Sequence, residues 1–511
     1  MGVSVPSYSC MAYMPASKWG EATERESQSI KPMEGDADRS AKVDGAVEKI
    51  RDKMHSSFFN PVTNQDLRDV QSTIAGLPNE DASAVVCELS ESELRRMADQ
   101  VNDSFLFGGL GGEEKQAFFD TMAQKLDGEQ LARMTNAFER NSLASTEDVN
   151  ALGRSIAKHA SDDVKLECIK ALQGRNELSD QSSVIGIDFG FFLSVSVTKK
   201  MSDPQAQVAA QVIASMGDAM AEQTLGLLRS ENLDAVIKGS ADPTFSTDTI
   251  LLPVKKYEAV SFQKLMQTVA KTKNADLKAR IFDSAASVLK DAESKNFLVS
   301  RRVDAAAMRK GMYDILMSDV NGVITELARN GKTFGGTAMA IYAKSAINAK
   351  EYERLGDIQV RLALGNDLKG DHVKLFNSPD QDYMHARNSG YFAGAIGAAV
   401  TSISSDVNKQ AEIVNALISS AATAVGAVLP PVGSAVAGVG ATASGLVVKA
   451  VYDQVVSNKS DAVAKLQEAS LPFASKRVLQ NEEHDLELAA KAPAFSQFED
   501  TWSWTKEHAK P

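Results

Sequence analysis

Gly331-Lys332-Thr333 is where the residue types of this chain come nearest to phosphate chemistry. A phosphate-cradling loop of that type also carries a glycine five places before the first of these residues, which frees the backbone to wrap the ligand. Glu326 stands there instead, and its carboxylate repels phosphate. The histidines, His55, His159, His372, His385, His484 and His508, form no HExxH pattern and no His/Cys pair with ligand spacing, so metal catalysis is not indicated. Asp380, Asp382 and His385 fall together at the start of one predicted helix, where acidic side chains also complement the helix dipole; the structural role is the preferred one. Cys168 and His159 share a helical stretch, but a thiol nucleophile needs a base oriented by a third group, and no such acid is marked. Cys10, Cys87 and Cys168 are odd in number and lack metal-type spacing, which points to neither a disulfide framework nor a zinc site. No cofactor is implied, and the balance leans against an enzyme.

Gly186-Ile187-Asp188-Phe189-Gly190 resembles the first phosphate motif of the actin and heat-shock ATPases, yet Phe191 and Phe192 replace the hydroxyl residues that follow it there. The same Asp-Phe-Gly triplet in kinases accompanies an upstream His-Arg-Asp loop, which is missing. The β-branched and aromatic run from Val184 to Val197 instead predicts a minor β-hairpin near 184–198. Thr249 to Val254 is a candidate partner strand, confined to an edge by Pro253.

The elements that would position any site are helices. Aromatic residues make up 6% of the 511, and Ala, Leu, Met, Lys, Glu and Gln are plentiful, a balance favouring helix over strand. The chain carries 55 basic and 67 acidic side chains, a formal charge of −12, which argues against a nucleic-acid surface. Internal repeats are visible. Leu89-Ser90-Glu91-Ser92-Glu93-Leu94-Arg95-Arg96-Met97 aligns with Leu126-Asp127-Gly128-Glu129-Gln130-Leu131-Ala132-Arg133-Met134, and more loosely with Leu228 to Val236. Ser90 followed by Glu93 is a capping-box pattern that marks a helix start. Leu152, Ile156, Ala157, Lys158, Asp163, Val164 and Lys165 match Leu265, Val269, Ala270, Lys271, Asp276, Leu277 and Lys278 at a constant offset. Two helical modules of a repeat array are expected, with a protein partner as the natural use of their surface.

The longest span free of charged side chains is Ile413 to Val448. Pro430 and Pro431 cut it into two arms of 17 residues, because proline lacks the backbone donor and clashes with the preceding turn. Ala416, Ser420 and Ala424 recur every four residues in the first arm, and Gly433, Ala437, Ala441 and Gly445 in the second. Such stripes let two helices approach closely in a hairpin. Each arm spans roughly 25 Å as a helix, a little less than the roughly 30 Å hydrocarbon core of a bilayer. A buried bundle core and a hairpin that enters a membrane conditionally are therefore both open.

The expected architecture is mainly α: a disordered leader (1–45), helical module 1 (46–200), helical module 2 (201–300), a C-terminal helical bundle containing the hairpin (301–460), and a tail (461–511). The opening MGVSVPSYSCMAYMPASKW is polar, lacks the basic-then-apolar pattern of a Sec signal peptide, and has its first acidic residue at Glu21. It resembles the leaders of bacterial type III secreted effectors. Leader, repeats and hairpin together resemble the large helical effectors and polymorphic toxins of Gram-negative, often plant-associated, bacteria. That resemblance implies a virulence protein secreted into a host cell or its membrane, acting by protein binding, by membrane insertion, or both; it carries no site residues across. The alternative is a cytoplasmic helical-repeat scaffold with the hairpin as buried core, and an enzyme with an unrecognised site comes third.

Overall fold

The computed structural model describes residues 34–54, 62–102, 110–139, 146–175, 178, 184–189, 193–198, 204–241, 260–293, 304–329, 337–364, 379–406, 409, 412–413, 416–417, 501 and 503–511. Apart from one strand pair, the secondary structure among them is helical, in two compact units that part after Arg175. The division differs from the partition read off the sequence. What was read as module 2 and the C-terminal bundle form one unit, because the last helix of that module packs onto bundle helices.

The first unit runs α1 (Glu34–Met54), α2 (Asn64–Ala75), α3 (Asn79–Glu88), α4 (Glu91–Asn102), α5 (Gly112–Lys125), α6 (Gly128–Glu139), α7 (Thr146–His159) and α8 (Asp162–Gly174). The predicted leader is shortened at its end: residues 34–45 belong to α1. That polar half of the helix continues into Ala46, Val47, Ile50 and Met54, which are buried, and Arg39 meets the carboxylates of Glu80 and Asp81. Tertiary packing, rather than local propensity, sets where such a helix begins.

The second unit contains β1 (Val184–Phe189), β2 (Leu193–Thr198), α9 (Pro204–Ala214), α10 (Asp218–Leu227), α11 (Ser230–Ala241), α12 (Val260–Lys271), α13 (Ala275–Glu293), α14 (Ala305–Ser318), α15 (Val320–Arg329), α16 (Thr337–Asn348), α17 (Tyr352–Leu364) and α18 (Pro379–Ile403). The strands pair antiparallel, Val184 opposite Thr198 and Phe189 opposite Leu193. Residues 249–254, the candidate third strand, lie outside the described residues.

Among the described helices of each unit, each one packs against the second described helix after it, where there is one. The first repeat family supplies the joints. Leu89, Leu126 and Leu228 each end a helix in extended backbone, with their side chains buried. Their amides bond back to the carbonyls of Val86, Met122 and Leu225. The next residue, Ser90, Asp127 or Arg229, accepts the first bond of the following helix at its own carbonyl. Two residues thus turn the chain while burying one leucine, worth about 2 kcal/mol of transfer free energy. The capping box at Ser90 and Glu93 forms, with the Ser90 amide donating to Glu93 Oε2 at 2.6 Å and the Glu93 amide to Ser90 Oγ at 3.2 Å. At the third joint Arg229 offers no capping oxygen, consistent with its looser match.

Basic side chains then satisfy carbonyls that helix ends leave over. Arg133 of α6 donates to the carbonyls of Val86, Cys87 and Leu89 at the end of α3, at 3.1, 3.2 and 2.6 Å. Arg280 of α13 does the same for Leu228 at 3.1 Å. The second repeat family maps onto α7–α8 and α12–α13, where Leu152, Ile156, Leu265 and Val269 are all buried. Its paired lysines, Lys165 and Lys278, are buried as well.

Candidate functional site

Three polar clusters interrupt the apolar packing. In the first unit, α5 presents Gln116, Asp120 and Gln124, one helical turn apart, to Ser155 and His159 on α7. Ser155 Oγ donates to Asp120 Oδ1 at 2.7 Å, Gln116 Nε2 donates to Ser155 Oγ at 2.8 Å, and His159 Nε2 stands 3.3 Å from Asp120 Oδ2. His159 Nδ1 faces Gln124 Nε2 at 3.2 Å. An amide nitrogen is a donor only, so His159 accepts at Nδ1 and carries its proton on Nε2, towards the aspartate. The residue types are those of a hydrolytic triad, but the order is wrong. The aspartate sits between serine and histidine, so the imidazole cannot take the serine proton. Burial raises the Asp120 carboxyl, but the bonds from Ser155 and Gln116 and the contact with His159 outweigh it and hold the group below its usual range, as suits a structural acid. The cluster clamps two helices.

In the second unit, buried Arg309 on α14 reaches Glu293 at 3.3 Å, Ser345 at 3.2 Å and Glu351 at 3.1 Å. Ser345 also donates to Glu293. Glu351 shares its other oxygen with Arg354 at 2.7 Å, and Arg354 lies 5.7 Å above the Tyr313 ring. Tyr313 donates to Asp357 at 2.7 Å, and burial together with that bond pushes its phenol up. The two guanidinium groups and the two glutamates balance in charge and join the end of α13 to α14, α16 and the start of α17. Removing one member would leave a buried charge uncompensated, so this too is a structural assembly. Nothing in the sequence reading marked it; the available signal was a charged residue, Arg309, inside an otherwise apolar helix face.

The third cluster joins α11 and α13. Asp234 on α11 bonds to Lys238 at 2.8 Å and to Ser284 on α13 at 2.9 Å. Asp283, the neighbour of Ser284, is half-buried, and among the described residues it makes no hydrogen bond or ion pair. Burial, and then the charge of Asp234, push its carboxyl up to about 7. Tyr391 on α18 is fully buried, its hydroxyl makes no hydrogen bond among the described residues, and it lies within the field of Asp283. The signal for Asp283 was again a lone charge in an apolar run, Ile281 to Leu289.

Of the residues singled out by sequence, Ala416 is half-buried between Ile413 and Leu417, which are buried. Ser420, Ala424, Pro430, Pro431, Gly433, Ala437, Ala441 and Gly445 lie outside the described residues, as do Gly331, Lys332 and Thr333. Glu326 pairs with Arg329 at 3.6 Å. Asp380, Asp382 and His385 fall on the first turns of α18. Cys168 is a buried free thiol against the start of α6, whereas Cys87 is disulfide-bonded, so one of the thiols read as unpaired is not. Among the described residues no three His, Cys, Asp or Glu side chains converge as metal ligands, and no helix is long and apolar enough to cross a membrane.

No protein-family model matches the chain, and no curated protein matches it significantly.

Proposed function

We propose that this chain is a bacterial secreted effector that acts by binding a protein partner on its helical array rather than by catalysis. The observation that carries this reading is the stacking of each helix on the second one after it through two-residue leucine joints. That construction turns side chains of successive helices outward at regular intervals, as repeat proteins do at their binding surfaces. Two of the polar clusters are spent on holding helices together, which leaves recognition to the surface. Arg96 on α4 and Lys170 on α8 are exposed on the first unit and serve as probes of its surface.

The test is capture of a host protein by the full-length chain, compared with an Arg96→Glu, Lys170→Glu variant whose helical circular dichroism is unchanged. The expected result is a fall in partner affinity of about tenfold or more, as electrostatic complementarity is lost. If no captured protein responds to surface charge reversal on either unit, the binding reading fails.

A second reading rests on the uncharged stretch from Ile413 to Val448, with its small-residue stripes. In it the hairpin enters a bilayer, and an Asp at the centre of an arm costs about 3 kcal/mol of insertion free energy. Full-length protein should then float with liposomes and release a trapped dye, while Ala424→Asp and Ala437→Asp abolish release without altering the melting of the rest of the chain. Equal release by those variants rules out insertion by these arms.

A further inference from the structure

The chain ends in a helical segment, residues 503–508, that is turned the wrong way for a firm seat. Its largest apolar side chain, Trp504, is 39% exposed and stacks on His508 one turn later, with ring centroids 4.6 Å apart and planes 12° from parallel. The side chains that the segment and its end bury are small, Thr505 at 0% exposure and Ala509 at 8%. A threonine and an alanine take little apolar area out of water, so docking gains little from them. The Thr505 hydroxyl makes no hydrogen bond among the described residues, and a polar group buried in that way opposes docking. Two bonds near the end of the chain tie the segment down. Lys290 of α13 donates to the Lys510 carbonyl at 3.0 Å, and the Lys510 amide reaches the Thr337 hydroxyl, at the start of α16, at 3.4 Å. On α18 the stem of Lys506 lies over Gly397, where a β-carbon would stand 3.7 Å from Lys506 Cδ and 3.8 Å from Cγ. That is ordinary contact, so a longer side chain at Gly397 would push Lys506 away.

We propose that residues 503–511 are a releasable strap on the second unit. Closed, the strap joins α13, α16 and α18; open, it lifts away as one piece while those helices stay folded, and it uncovers α18 at Gly397. The opening is local because the strap buries little, whereas the helices beneath it are held by large side chains of their own. Phe282 of α13 lies against Tyr342 of α16, ring centroids 5.7 Å apart, and Phe392 of α18 is fully buried. The place uncovered matters for the rest of the chain: α18 ends at Ile403, just ahead of the uncharged stretch that starts at Ile413. The strap therefore governs access to the helix from which that stretch departs.

The experiment is native-state hydrogen exchange of the full chain at neutral pH, read at the amides of Ala509 and Lys510 and at those of α13, for the natural chain, Thr505→Val and Gly397→Leu. In the natural chain the strap amides should exchange at least about 100-fold faster than those in the middle of α13. Thr505→Val keeps the shape of the side chain and removes the unpaired hydroxyl; it should slow the strap amides by about tenfold while α13 keeps its protection. Gly397→Leu puts its side chain where the Lys506 stem lies and should speed them by about tenfold. Strap amides that exchange no faster than α13, through unfolding of the whole unit, would overturn the proposal, and so would a Thr505→Val chain whose strap exchange is unchanged. If Gly397→Leu does not fold, the natural chain and Thr505→Val decide between these results by themselves.

Discussion

Arg133→Ala unfolds the first unit at lower denaturant, with an expected loss of about 3–5 kcal/mol. The guanidinium is buried and makes five bonds: three to the carbonyls that close α3, one to Glu91 and one to Gln130. Each carbonyl that loses its donor away from water costs about 1–3 kcal/mol, and Glu91 loses its cation at 3.0 Å. Arg133→Lys keeps the charge, but a single ammonium cannot span three carbonyls, so most of the loss should persist. Urea unfolding with a probe confined to the first unit measures this, since a chain of two units need not unfold in one step. Arg96 stands at the matching repeat position but is exposed, and Arg96→Ala should change the same transition by less than about 0.5 kcal/mol. If both variants melt alike, the capping account is wrong.

Gly239→Ala is expected to destabilise the second unit by about 3 kcal/mol. A methyl group there would stand 2.7 Å from the carbonyl carbon of Ala206 and 2.8 Å from the amide nitrogen of Gln207, so the backbones of α9 and α11 would have to part. Gly128→Ala meets the same obstacle in the first unit, 2.4 Å from the Cys168 amide nitrogen and 2.5 Å from the Val164 carbonyl oxygen. Gly45 in α1 has nothing within 4 Å, and Gly45→Ala should stabilise by about 0.5–1 kcal/mol through helix propensity alone. Chemical denaturation of the three variants separates the two effects by sign. A neutral Gly239→Ala would mean that α9 and α11 do not touch as described.

What the sequence made legible was local. The Ser90 and Glu93 capping box, the leucine joints, and the buried Leu152, Ile156, Leu265 and Val269 are each set by residues a few positions apart, where spacing is a direct geometric statement. The partners that close the polar clusters stand far from one another in the chain: Ser155 is 35 residues from Asp120, Ser284 50 from Asp234, and Glu351 42 from Arg309. A single sequence carries no mark of such pairings. Glu34 to Gly45 read as leader because the segment has no apolar stripe of its own; its helix is held by Ile50 and Met54 further on and by Arg39 reaching Asp81. Asp283 and Arg309 were visible only as charges in apolar runs, a pattern with no unique meaning until the facing helices are known.

The last residues of the chain behave differently from its first helices. In the first unit the side-chain hydrogen bonds and ion pairs between described residues span no more than 50 positions, so these partners are made soon after one another. Residues 503–511 instead return to elements completed long before. Lys290 of α13 donates to the Lys510 carbonyl at 3.0 Å across 220 positions, and Thr337 at the start of α16 lies 3.4 Å from the Lys510 amide across 173. During synthesis at about 5–20 residues per second, the early helices have seconds to stack while later ones are still emerging. The second unit, by contrast, cannot make these contacts until residues 503–511 have been synthesised. A ribosome stalled before residue 503 would hold a first unit already assembled and a second one still waiting.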